Sequence, residues 1–216
     1  MDQNIILLAQ NFNPTIFSDS WLKSYEILGK DEVVKQQIYT PIAVNLTTES
    51  FSLVITPEQL QLTIQENAPA IETIQRTTAK IIRLLPHTPL AALGINFDWF
   101  AEPEDAKRYY ELSREFCVPQ NNPILKFFGK IDSRFGIYMS ADHGDFRLKL
   151  DIKPRIYVHE KEKIEGLNFS FNFHRDLKPN VAKQTSSDLV LPLLDQWKAL
   201  KEKSEEIMTE ATSKWK

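Results

Sequence analysis

The densest group of side chains with ligating chemistry is Asp142-His143-Gly144-Asp145, followed soon after by Asp151-Ile152-Lys153. Two carboxylates and an imidazole on one turn can hold a divalent ion when another element, here carrying His159 or His174, completes the set. A carboxylate and a lysine two residues apart on a strand share a face. Asp151 can then bind a metal while Lys153 steadies an attacking water, with Asp132, Asp142 or Asp145 as the second carboxylate. One reading is therefore a divalent-metal-dependent, nuclease-like hydrolase with Asp142, Asp145, Asp151 and Lys153 as catalytic residues and His143 and Asp145 as metal ligands. The plainer reading is preferred. Asp, His and Gly are ordinary turn residues, and Asp-x-Lys is frequent on any strand with a wet face. No metal or cofactor is assigned, and Walker A, GxSxG, HExxH, CxxC and glycine-rich dinucleotide signatures are all missing from the sequence.

Binding chemistry has a broader basis. From Phe146 to Val158 apolar and polar residues alternate, which sets Arg147, Lys149, Asp151, Lys153, Arg155, Tyr157 and His159 on one face of a strand. The returning segment GLNFSFNFH sets Asn168, Ser170, Asn172 and His174 beside them. The expected binding surface is Arg147, Lys149, Lys153, Arg155, Asn168, Asn172 and His174, a mostly basic, hydrogen-bonding patch suited to phosphates or an acidic partner. Nucleic acid is weakly supported, since Tyr157 is the one outward aromatic and the chain carries a net charge of −3.

The elements that must position these residues include a repeated pattern. GINFDW at 94–99 and GLNFSF at 166–171 share glycine, aliphatic, Asn, Phe, any residue and aromatic, and His87 and His159 stand at the same distance before each glycine. Such alternation makes a strand whose Phe and Trp fill a core while Asn96, Asp98, Asn168 and Ser170 face outward, with a glycine that admits a close neighbour. It also suggests an imperfect internal duplication. Three period-two segments, Ile42, Val44 and Leu46, then Phe51, Leu53 and Ile55, then Leu60, Leu62 and Ile64, predict an antiparallel meander with one wet face.

Asn67 and Pro69 open a helix carrying Ile71, Ile74, Thr78, Ile81, Ile82 and Leu85. A further helix runs from Pro103 to about Cys117, the only cysteine, whose apolar helical setting predicts a core role. A hairpin turn is expected at Asp142 to Asp145, an edge or bulge at Pro154, a turn at Glu160 to Lys163, and a final helix capped by Ser186 or Ser187 and interrupted near Pro192. The fold class is α+β: an antiparallel sheet in two related halves, 1–120 and 121–216, forming one compact unit, with helices packed on one face.

The C-terminal helix bears a heptad-like stripe of Leu193, Trp197, Leu200, Ser204, Ile207 and Ala211, which packs on the sheet or joins another subunit. With 42% hydrophobic and 25% charged residues the composition is that of a globular protein. The short apolar start, the acidic flank, the single cysteine and the lack of a membrane-length apolar run point to the cytoplasm and away from membranes. The functional expectation is a non-catalytic binding or assembly protein that presents its polar sheet face and amphipathic C-terminal helix to a protein partner or to itself.

Overall fold

A computed structural model describes residues 2–65, 70–130, 132–159, 162–177 and 184–215. The strands are β1 (Gln3–Ala9), β2 (Val34–Tyr39), β3 (Val44–Thr48), β4 (Phe51–Ile55), β5 (Gln59–Ile64), β6 (Leu90–Ala101), β7 (Ile137–His143), β8 (Phe146–His159) and β9 (Glu162–Asp176). They form one antiparallel sheet in the order β2-β3-β4-β5-β1-β6-β9-β8-β7. The helices are α1 (Asp19–Ser24), α2 (Ala70–Leu84), α3 (Tyr109–Cys117), α4 (Ser186–Leu194) and α5 (Trp197–Ala211). The α+β class read from the sequence is thus found, with helices against one face of an antiparallel sheet.

Period-two alternation explains why that face is the core. Val44, Leu46, Phe51, Leu53, Ile55, Leu60, Leu62, Ile5, Leu7, Leu93, Ile95 and Phe97 are all buried on it. Phe169, Phe171 and Phe173 of β9 continue the same layer. Helix α2 covers the β1 and β5 region, and α3 and α5 pack over β6 and β9. Aromatic rings join the layers: Phe97 meets Trp197 of α5 at 4.8 Å between centroids, and Phe116 of α3 meets Phe169 at 6.0 Å. Cys117 is buried at the end of α3, and burial pushes its thiol up to about 11. Among the described residues no helix is long and apolar enough to cross a membrane.

The two like stretches lie side by side on the central strands. Antiparallel pairing sets Asn96 opposite Asn172, Phe97 opposite Phe171 and Trp99 opposite Phe169. The elements before them differ: β6 follows helix α2 and a loop carrying exposed His87, whereas β9 follows β8 across a hairpin ending at His159. The equal histidine offsets therefore fall in unlike settings, and an internal duplication is not confirmed.

Several local expectations are refined. Thr185, not Ser186 or Ser187, caps α4, in a capping box with Asp188. Pro192 lies within α4, and the break follows at Asp195 and Gln196, before α5. Pro154 sits just beyond the reach of β7, whose pairing with β8 ends at Ile137 and Ile152, so its missing N–H faces an unpaired edge. Gly144 adopts φ 56° in the two-residue loop that closes β7 on β8. β2 was not anticipated, because only Val34, Ile38 and Tyr39 interrupt its polar run. Asn67 and Pro69 lie outside the described residues, as do Glu160 and Lys161.

Candidate functional site

The face of the sheet opposite the helices is built from the second half of each strand's alternation. Successive registers set Thr47 of β3 against Ser52, Ser52 against Thr63, and Thr63 against Asn4. The row continues through Asn96, Asn172 and Lys149 to Ser140 of β7. Eight strands thus contribute hydroxyls, amides and one ammonium along a single line.

At its centre the amides hold one another. The Asn96 Nδ2 donates to Asn4 Oδ1 at 2.7 Å, and the Asn172 Nδ2 donates to Asn96 Oδ1 at 2.6 Å. One rung along, Asn168 Nδ2 donates to Ser170 Oγ at 2.8 Å and to Asp98 Oδ1 at 3.2 Å, while the Ser170 hydroxyl donates to the same carboxylate oxygen. Arg155 closes the group by donating to Asn168 Oδ1 at 3.2 Å. Asn168 is only 7% exposed, so this network satisfies an amide that would otherwise be costly to bury.

A cleft of about 460 Å³ opens beside this group, lined by Asp2, Asp98, Trp99, Phe100, Glu102, Tyr157, Val158, Ile164 and Asn168. Its wall is the Phe100–Tyr157 edge-to-face pair, 4.5 Å between centroids, with Arg155 4.8 Å above the Tyr157 ring. Gly166 makes the pair feasible. A Cβ there would overlap the Phe100 ring and the Ala101 carbonyl oxygen.

All seven residues of the sequence-derived surface, Arg147, Lys149, Lys153, Arg155, Asn168, Asn172 and His174, fall on this face by register. Its charge is more balanced than the sequence suggested. Arg147 pairs with Asp142 at 3.0 Å, Lys153 pairs with Asp151, and His174 Nε2 lies 3.2 Å from Asp176. Lys149, at the middle of the face, and Arg155 have no ion pair among the described residues.

The proposed hydrolase residues fall into two separate groups: Asp142, Asp145 and His174 line one pocket at the hairpin turn, and Asp151 pairs with Lys153 further along β8. Asp142 stands opposite Arg147 and Asp151 opposite Tyr138, four residues apart along β8, or about 13 Å. Asp145 lies in the turn, where its carboxylate accepts from Gln196 at 2.8 Å. His143 turns to the apolar face, its ring 5.9 Å from Phe173, while His174 is on the open face. Among the described residues no three His, Cys, Asp or Glu side chains are grouped so as to hold a metal. Asn4, Phe100 and the Thr47-Ser52-Thr63 series escaped sequence reading. Each strand alone shows only unremarkable polar alternation, and the line appears when registers are known.

The C-terminal stripe faces inward. Trp197, Leu200 and Ser204 are buried, and Ile207 and Ala211 pack partly buried against the same core. Ser204, the weak position of the heptad pattern, accepts a hydrogen bond from Trp99 Nε1 at 3.0 Å. No protein-family model matches the chain, and no curated protein matches its sequence.

Proposed function

We propose that this protein is a non-catalytic binding protein whose working surface is the polar face of the sheet, presented to a protein partner. The supporting observation is the interlocked Asn4–Asn96–Asn172 row with Lys149 beside it, uncovered by any described helix. Side chains already fixed by mutual hydrogen bonds lose little entropy when a partner docks, and they discriminate by donor and acceptor position. The C-terminal helix serves this reading as a support behind the sheet. Its outer side carries the ion pairs Lys201–Glu205 and Lys203–Glu206, at 3.5 and 2.8 Å, and its apolar stripe is engaged within the chain.

The test compares baits in extracts of the source cells: the wild-type chain, a Lys149→Glu/Asn172→Ala face variant, and a Lys198→Glu helix variant, each checked for folding by circular dichroism. A partner kept by the wild type and the helix variant but lost by the face variant is the expected result. Equal capture by all three would defeat the assignment to this face.

A further inference from the structure

The two edges of the sheet are unlike. β2 carries Lys35 at a register irregularity between Val34 and Gln36, and both features discourage another strand from pairing there. β7 pairs regularly with β8 throughout and has no Lys, Pro or bulge. Its large side chains are open to solvent: Tyr138 is 60% and Met139 41% exposed.

The hairpin register states which backbone groups point outward. The residues that close a two-residue loop form a hydrogen-bonded pair, here His143 with Phe146, and such pairs alternate along an antiparallel ladder. Ala141, Met139 and Ile137 therefore bond to β8, while Tyr138 and Ser140 direct their N–H and C=O away from it. The Ser140 carbonyl fits this account, since it accepts from the Arg147 guanidinium at 3.2 Å. Arg147 also holds Asp142, so its guanidinium guards the edge from the Ser140 carbonyl to Asp142, and the outward groups left open are those of 136–138 and the Ser140 N–H.

We propose that β7 pairs antiparallel with β7 of a second copy of this chain, about a two-fold axis at Tyr138, joining two sheets edge to edge. In that register Tyr138 lies opposite its own counterpart on the polar face. Ile137 lies opposite Met139 of the second copy on the apolar face, and Gly136 opposite Ser140. Apolar meets apolar on the core side, and no like charges oppose one another across the stretch. Because the strand pairs with itself, the assembly closes at two copies. Pairing of β7 with β2 would propagate, and the guarded β2 edge opposes it.

Analytical ultracentrifugation of the full chain from roughly 1 to 300 μM covers the affinities a junction below standard interface size gives. A monomer–dimer equilibrium is expected, abolished by Tyr138→Lys, which sets two ammonium groups across the axis, and retained by Ile38→Lys on the other edge. Amide exchange at Tyr138 should slow as concentration rises. A wild-type chain that stays monomeric throughout, or a dimer lost in Ile38→Lys and kept in Tyr138→Lys, would overturn the proposal.

Discussion

Gly94 and Gly166 occupy the same place in two like stretches, yet their surroundings make different demands. A Cβ at Gly166 would overlap the Ala101 carbonyl oxygen and the Phe100 ring, and the carbonyl belongs to the paired strand and cannot retreat. A Cβ at Gly94 would meet the end of the Asn172 amide at 3.2 Å, a side-chain tip that needs to give by only a few tenths of an ångström and can keep its bond to Asn96. Gly166→Ala should therefore cost about 1–3 kcal/mol, as overpacking does, and Gly94→Ala well under that. Urea denaturation of the two variants measures both. The glycine's role as an admitter of close neighbours was legible in GLNFSF, but which neighbour was not. Phe100 reaches β9 only because the register sets it opposite Asn168.

At the scale of elements, α5 illustrates how a pattern is read and what it leaves open. The spacing of Trp197, Leu200, Ser204, Ile207 and Ala211 marks one face of a helix, and the structure turns that face to the sheet. Ser204 is the polar residue of an otherwise apolar stripe. It is wholly buried and receives the Trp99 indole N–H, so a residue larger or without an acceptor would leave that donor unpaired. Ser204→Ala is expected to destabilise the fold by about 1–3 kcal/mol, measured by thermal or denaturant unfolding. Loss of stability without a change in mass would mark the bond as internal to the chain. The same limit applied to Asp142-His143-Gly144-Asp145. The turn was readable from residue types, whereas the opposite facing of His143 and His174 depended on strand parity and on which strand lies beside β8.

At the scale of the molecule, the C-terminus ties the helical layer together. Trp215 is buried, its carbonyl accepts from the Glu104 N–H at 3.1 Å, and Lys214 pairs with Glu115 of α3 at 2.8 Å. Truncation after Ser204 removes these contacts together with Ile207, Met208 and Ala211. It should lower the melting temperature and soluble yield of the protein at every concentration. Trp215→Ala alone should cost about 3–5 kcal/mol, the usual loss for a large buried aromatic. A truncated chain of unchanged stability but altered mass in solution would instead place this segment at an interface.

Sequence alone determined the class of fold, because period-two alternation in β3, β4, β5, β8 and β9 and helical spacing in α2 and α5 are local properties written in each segment. It also determined which side chains of β8 and β9 share a face. Only the tertiary structure decided that β1 and β6 lie between the meander and the β7–β9 hairpins, because strand order depends on contacts between residues far apart in the chain. That order brings Asn4, Asn96 and Asn172 into one hydrogen-bonded line and leaves β7 at an edge. A register fixed by long-range pairing cannot be read from any one strand, and both proposed surfaces follow from it.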